Sequence, residues 1–229
     1  MSRSSKRFLV AATVSIAAFS AQAANVTITG WAFGSGNSVQ ATGYSGPAGG
    51  FIGSISGAGV HDASPFLTYC IELSESFNFG ASAMTGYAVA AGAEYFQRRH
   101  GDASRAENLG RLLTWVANNP TAVDTVAEST AMQLAVWNLV YDTDFSVTLP
   151  GVFSDLSSHR LHANALLAGA QSVAQSRYNV FALEKAGKQD FLLSSLRVPE
   201  PASLALVCVG LFGMAGARRW RISASRAAH

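Results

Sequence analysis

The most regular segment of the chain is Ser129-Thr130-Ala131-Met132-Gln133-Leu134-Ala135-Val136-Trp137-Asn138-Leu139-Val140-Tyr141. Its apolar residues recur at positions i, i+3, i+4, i+7 and i+8, which is the spacing of one face of an α-helix. These residues are Met132, Ala135, Val136, Leu139 and Val140. The pattern predicts a helix over 129–141 that buries one face.

Further helices and strands are predicted on both sides of this segment. Helical periodicity covers 102–118 and 157–173. Strand-like pieces, separated by turns rich in Gly and Ser, lie at 26–29, 51–55 and 65–73, and a closing hairpin at 178–184 and 189–193. Strands, then helices, then strands indicate an α+β fold. We predict an antiparallel, β-rich domain, either a sandwich or barrel-like, with an inserted helical segment.

The N-terminus has the pattern of a secretion signal. Three basic residues precede an apolar run at 8–19, and Ala21-Gln22-Ala23 supplies the small residues that a signal peptidase accepts. The apolar run is too short for a membrane-spanning helix. We therefore predict a signal peptide over 1–23.

The C-terminus has three parts in a fixed order. Val198-Pro199-Glu200-Pro201 is followed by an uncharged apolar run at 202–217, and then by Arg218 and Arg219. As a helix, the run would be about 24 Å long, which is enough for a minimal membrane anchor. The arginines favour a cytoplasmic end. We predict a transmembrane helix over 202–217 and a cytoplasmic tail over 222–229.

This tail resembles the PEP-CTERM sorting signal, also called an ice-binding-protein C-terminal motif, over 198–221. The resemblance implies recognition by an exosortase in the inner membrane of a Gram-negative bacterium. The protein would be anchored transiently in that membrane and then delivered to the cell surface or the extracellular matrix. The chain has no regular array of threonines that would bind ice.

The part of the chain between the two ends, residues 24–197, is long enough for one domain with its own core. It carries nine Lys and Arg residues against thirteen Asp and Glu, although the whole chain has a formal charge of +2. The basic balance therefore belongs to the ends. Nucleic-acid binding through a basic surface is disfavoured.

Cys70 is the only cysteine of this middle part, because Cys208 lies in the C-terminal apolar run. An unpaired cysteine in an oxidising compartment is buried and inert, paired between chains, or used chemically. Gln133 also has a simpler explanation, because Thr130-x-x-Gln133 has the spacing of a helix capping box.

Two short motifs together resemble the thioester domains of bacterial surface adhesins. They are Tyr69-Cys70-Ile71-Glu72 and Met132-Gln133-Leu134-Ala135-Val136-Trp137. The resemblance implies that the Cys70 sulfur and the Gln133 side-chain carbonyl are joined with loss of ammonia. Met132 stands where the adhesin pattern usually has Thr or Ser.

Such a bond would acylate an amine or a hydroxyl on a protein or polysaccharide target. A thioester has a better leaving group than an amide, so it stores reactivity until a nucleophile arrives. Backbone amides in the first turn of the helix that begins near Ser129 are expected to polarise the Gln133 carbonyl. Trp137, one turn beyond Gln133, is expected to shield the bond from water, with Tyr69 also close by.

The sequence contains no other motif of catalytic or metal-binding residues. His159 and His162 have no acidic or cysteine ligand at a matching spacing, so no metal is predicted. Glu72 and Glu75 are predicted to be solvated charges at a strand end. Motifs of serine hydrolases and phosphate loops are absent.

We therefore predict an adhesin-like binding protein rather than an enzyme, with no cofactor. The alternative is a non-covalent structural or matrix-binding module with an inert cysteine.

Overall fold

A computed structural model describes residues 23–80, 82–142 and 144–197, and within these ranges the chain forms eight strands and four α-helices. The strands are β1 (Ala24–Trp31), β2 (Asn37–Ala41), β3 (Tyr44–Ala48), β4 (Phe51–Ser56), β5 (Ala63–Thr68), β6 (Met84–Ala91), β7 (Tyr178–Lys185) and β8 (Lys188–Leu196). The helices are α1 (Gly92–His100), α2 (Ser104–Asn118), α3 (Val126–Tyr141) and α4 (Arg160–Ser172). All four helices lie between β6 and β7 in the chain.

Six of the strands form one antiparallel sheet in the order β5-β4-β1-β6-β7-β8. The two edges of this sheet approach each other just after β5. There the backbone N–H of Leu192 donates to the carbonyl of Tyr69 at 2.9 Å, and the N–H of Ile71 donates to the carbonyl of Asp190 at 3.1 Å. The sheet is therefore nearly closed and barrel-like, which confirms the predicted β-rich α+β class.

The strands β2 and β3 form a separate hairpin, and two hydroxyl groups of α3 bond to this hairpin and to the loop that follows it. Thr130 Oγ1 donates to the carbonyl of Ala48 at 2.9 Å and accepts from the N–H of Asn37 at 3.2 Å. Ser129 Oγ accepts from the N–H of Gly50 at 2.8 Å. These bonds hold the hairpin and the loop before β4 against the first half of α3.

Helix α3 is buried on all sides from Ser129 to Val140. The prediction that it buries only one face is wrong, because the hairpin, the other helices and the closing edge of the sheet surround it. Its polar residues are hydrogen-bonded inside the protein, so the polar positions of the sequence pattern do not mark a solvent-facing side.

The N-terminus of α3 lies earlier than predicted. Thr125 is the N-cap: its side chain accepts from the N–H of Glu128 at 3.3 Å, and the Glu128 carboxylate accepts from the N–H of Thr125 at 3.0 Å. The predicted capping box of Thr130 and Gln133 is therefore wrong. Both residues are free to bond with other parts of the fold.

The remaining predictions of secondary structure agree in type, with ends shifted by a few residues. α2 and α4 occupy the predicted helical regions, and β7 with β8 forms the predicted closing hairpin. The sequence analysis missed β2, β3, β6 and α1. β2 and β3 have only five residues each, β6 is rich in alanine and lacks alternation, and α1 has only nine residues. In the described part of the chain, none of the helices combines the length and apolar character needed to span a membrane.

Candidate functional site

Cys70 and Gln133, which are 63 residues apart in the chain, are in contact at the closing edge of the sheet. The Cys70 N–H donates to Gln133 Oε1 at 2.9 Å, and Gln133 Nε2 donates to the Cys70 carbonyl at 2.8 Å. Tyr69 and Ile71, on either side of Cys70, pair with β8 instead. Since successive residues of a strand bond to opposite sides, the Gln133 amide takes the place of a neighbouring strand for Cys70.

This pair of bonds fixes the orientation of the Gln133 amide. A backbone N–H can only donate and a backbone carbonyl can only accept, so Oε1 must face the Cys70 N–H. The side-chain carbonyl of Gln133 is thereby polarised by Cys70 itself. The prediction that first-turn amides of the helix do this is wrong, because α3 begins at Val126 and Gln133 lies in its third turn.

Both residues are shielded from solvent. Gln133 is completely buried and Cys70 is 6% exposed, with a free thiol. Burial raises the pKa of the Cys70 thiol well above its usual range, and the nearby Glu72 carboxylate raises it further. The thiol is therefore protonated at neutral pH, and any reaction at its sulfur must move that proton.

The side chains predicted to surround the pair take two different positions. Trp137 is 3% exposed and packs against Tyr44, with ring centroids 4.9 Å apart. Its indole Nε1 is buried and has no hydrogen-bond partner in the part of the chain that the structure describes. Tyr69 lies beside Ser129, and burial raises the pKa of Tyr69 to about 12, an effect that the Ser129 hydroxyl partly offsets.

A cavity of about 210 Å³ opens beside Cys70 and Gln133. Six aromatic side chains from distant parts of the chain contribute to its walls: Trp31, Tyr44, Phe51, Phe77, Phe79 and Trp137. Several rings meet edge to face, as in the pair of Phe51 and Phe77, whose centroids are 4.9 Å apart. Tyr69 is not among the described residues that line this space.

Glu72 and Glu75 also line the cavity, and both are half-buried, a position that the sequence analysis did not predict. The Glu72 carboxylate accepts from the N–H of Ser74 at 2.8 Å and from the N–H of Glu75. Glu75 Oε1 accepts from the N–H of Gly187 at 3.1 Å, whereas Glu75 Oε2 is buried and without a partner. The available signal was the position of both carboxylates within five residues of Cys70.

Several of the predicted segments and motifs lie outside the residues that the structure describes. Residues 1–22, which contain nearly all of the predicted signal peptide, lie outside the described residues. The same holds for the predicted transmembrane helix at 202–217, for the tail at 222–229, and for the sorting residues Val198, Pro199, Glu200, Pro201, Arg218 and Arg219. Within the described residues, no group of three or more His, Cys, Asp or Glu side chains is arranged to hold a metal.

Comparison with protein families identifies the PEP-CTERM protein-sorting motif at residues 197–219. This confirms the predicted sorting signal and implies that the protein is exported with exosortase processing and directed to the cell surface.

Among solved structures, the fold is similar to the N-terminal thioester domain of a surface protein from Clostridium perfringens, determined as a cysteine-to-alanine mutant. The TM-score is 0.41 and the sequence identity 17%, over 63% of this chain and 89% of the other. The comparison with curated proteins gave no match.

Proposed function

We propose that this protein is an adhesin-like surface module that attaches covalently to its targets through a thioester between Cys70 and Gln133. The observation that carries the proposal is the contact between the Cys70 backbone and the Gln133 side-chain amide, at 2.9 and 2.8 Å, inside a water-poor site next to an open cavity. A surface-directed sorting motif supports a role outside the cell.

The bond would form by attack of the Cys70 sulfur on the Gln133 carbonyl carbon. The thiol proton passes to the amide nitrogen, the carbon–nitrogen bond breaks, and ammonia leaves. The Cys70 N–H donates to Oε1 and so stabilises the negative charge that develops on this oxygen. Once ammonia has left, the Cys70 carbonyl no longer receives its hydrogen bond from Nε2.

Target attachment would reverse the roles of sulfur and nitrogen. A nucleophile from the target attacks the same carbon, the carbon–sulfur bond breaks, and the thiol regains a proton. A thiol of high pKa is a poor leaving group compared with one of low pKa, so the burial that raises the pKa of Cys70 also lets the bond persist until a nucleophile enters.

The proposed organisation of the chain follows from this role. Residues 1–23 would be removed by signal peptidase, residues 24–197 would form the exported body, and residues 198–221 would be the sorting signal. The apolar run at 202–217 would anchor the protein in the inner membrane before exosortase processing, with 222–229 in the cytoplasm.

A second candidate is a non-covalent surface module. Both polar atoms of the Gln133 amide are already satisfied by the Cys70 backbone, so Gln133 also has a purely structural use as a substitute for a strand.

Intact mass measurements separate the two candidates. We expect the purified protein to be lighter than calculated by one ammonia, and to gain one methylamine when treated with that amine. The Cys70→Ala variant is the control and should have its calculated mass, unchanged by methylamine. A wild-type protein with its full calculated mass and a titratable thiol would contradict the thioester and leave the non-covalent module.

A further inference from the structure

The cavity beside Cys70 and Gln133 has an unbalanced charge. Glu72 and Glu75 contribute two carboxylates, and none of the described residues that line the cavity is Lys, Arg or His. Both oxygens of the Glu72 carboxylate accept hydrogen bonds from backbone N–H groups. Glu75 forms no salt bridge within the described residues. Of these two carboxylates, Glu75 is the one that has an oxygen without a partner among the described residues.

Two polar atoms of this region have no hydrogen-bond partner among the described residues. Glu75 Oε2 is a buried acceptor and Trp137 Nε1 is a buried donor, and both residues line the cavity. A buried polar group without a hydrogen bond costs stability, and a buried charge without a counter-ion costs more. Unpartnered atoms on two residues that line the same cavity indicate a ligand that completes them when these side chains turn towards it.

The aromatic walls indicate what kind of ligand this is. The faces of aromatic rings attract cations, and the rings also pack against the alkyl chain of a ligand that carries a cationic group. Trp31, Phe77 and Phe79 stand together in this wall, with centroid distances of 5.4 Å between Trp31 and Phe79 and 5.5 Å between Phe77 and Phe79. A ligand with an alkyl chain and a terminal ammonium group fits this cavity, because the chain packs against the rings and the ammonium pairs with Glu75 Oε2.

We infer that Glu75 selects the target group by pairing its free Oε2 with a primary ammonium held between the aromatic rings, and by taking one proton from it. This inference rests on the proposed thioester, and it favours an alkyl amine over a hydroxyl as the target. Glu75 becomes the carboxylic acid and the ammonium becomes a neutral amine. The amine nitrogen attacks the Gln133 carbonyl carbon, the carbon–sulfur bond breaks, and a second proton from that nitrogen goes to the Cys70 sulfur. Glu75 then returns its proton to solvent.

Binding can be tested without the thioester, in the Cys70→Ala variant, which cannot form it. The probes are n-butylammonium and n-butanol, which have the same alkyl chain, and the readout is the indole N–H signals by NMR during titration. We expect the ammonium to bind at least about tenfold more tightly than the alcohol. Adding Glu75→Gln should remove this preference.

The matched control for binding is Glu94→Gln, which makes the same chemical change at an exposed site on α1. It should keep the preference for the ammonium. Equal binding of the two probes, or a preference that survives Glu75→Gln, would overturn the inference whether or not the thioester forms.

The proton transfer is tested in the protein that retains Cys70, by following thioester opening at neutral pH. Glu75→Gln should slow opening by n-butylamine by about 100-fold, because that amine enters as a cation. Opening by hydroxylamine, which is uncharged at this pH, should stay within about twofold.

Equal slowing with both nucleophiles would mean that Glu75 only supports the fold of the site, and would overturn its role in proton transfer. If the protein has its full calculated mass and no thioester, the proposed function fails. The titration in the Cys70→Ala variant then still decides whether Glu75 binds cations.

Discussion

The carboxylates of Glu75 and Asp190 both bond to the backbone of the turn between β7 and β8, but their surroundings differ. Gly187 donates its N–H to Glu75 Oε1 at 3.1 Å, and Lys185 donates its N–H to Asp190 Oδ1 at 3.0 Å. The second oxygen of Asp190 accepts from the Tyr95 hydroxyl at 2.7 Å. The second oxygen of Glu75 is buried and has no partner within residues 23–80, 82–142 and 144–197.

This difference indicates that the Asp190 carboxylate stabilises the fold, whereas the Glu75 carboxylate is available to bind a ligand. Asp190 is fully buried, and Arg99 Nη2 lies 3.4 Å from its Oδ2, so this residue connects α1 to β8. Glu75 faces a cavity instead. We therefore expect substitutions around Asp190 to lower the free energy of unfolding, and a neutral substitution at Glu75 to leave it unchanged or raise it.

The largest expected effect is that of Asp190→Ala. It removes the acceptor of the Tyr95 hydroxyl and of the Lys185 N–H, and it leaves Arg99 without its counter-ion. We expect the free energy of unfolding, measured by urea denaturation, to fall by about 3 kcal/mol. The control is Asp190→Asn, which keeps one acceptor oxygen and should cost less. An unchanged urea midpoint for Asp190→Ala would remove the contrast between the two carboxylates.

The contrast also shows what the sequence could and could not predict. The periodicity of α3 and the alternation in the closing hairpin follow from local packing, so these elements were predicted correctly. The contact of Cys70 with Gln133 was predicted from two short motifs. The state of Glu75 was not predicted, because it depends on the closure of the sheet and on the turn at Gly187, which is 112 residues away in the chain.

The cavity and the burial of α3 both depend on contacts between residues that are far apart in the sequence. The aromatic wall combines residues from Trp31 to Trp137, and no local pattern relates them. The polar residues of α3 suggested an exposed face, but Ser129, Thr130 and Gln133 each bond to a distant loop or strand. A sequence pattern shows which residues are polar; the tertiary fold decides whether water or protein satisfies them.

A smaller effect is expected for Tyr95→Phe, which keeps the ring and removes only the hydroxyl that bonds to Asp190. Hydrogen bonds to charged groups contribute more than neutral ones, so we expect a loss of about 1.5 kcal/mol in urea denaturation. Tyr44→Phe is the control on the cavity side, because its exposed hydroxyl donates to the uncharged carbonyl of Pro47. That variant should stay within about 0.5 kcal/mol of wild type. Equal losses at the two tyrosines would contradict the difference between the two regions.

The smallest effect, and the one of opposite sign, is expected for Glu75→Gln. The glutamine oxygen can still accept from the Gly187 N–H, while the charge on the unpartnered oxygen is lost. Removing a poorly paired charge from a partly buried site is often neutral or stabilising, so we expect a gain of about 0.5 kcal/mol in the same denaturation series. Because the change is isosteric, the variant should fold like wild type, and a loss of amine binding would then report on the charge alone. Glu75→Gln would instead destabilise the protein as much as Asp190→Asn if the Glu75 carboxylate supported the fold in the way that Asp190 does. That result would contradict a role of the Glu75 charge in ligand binding.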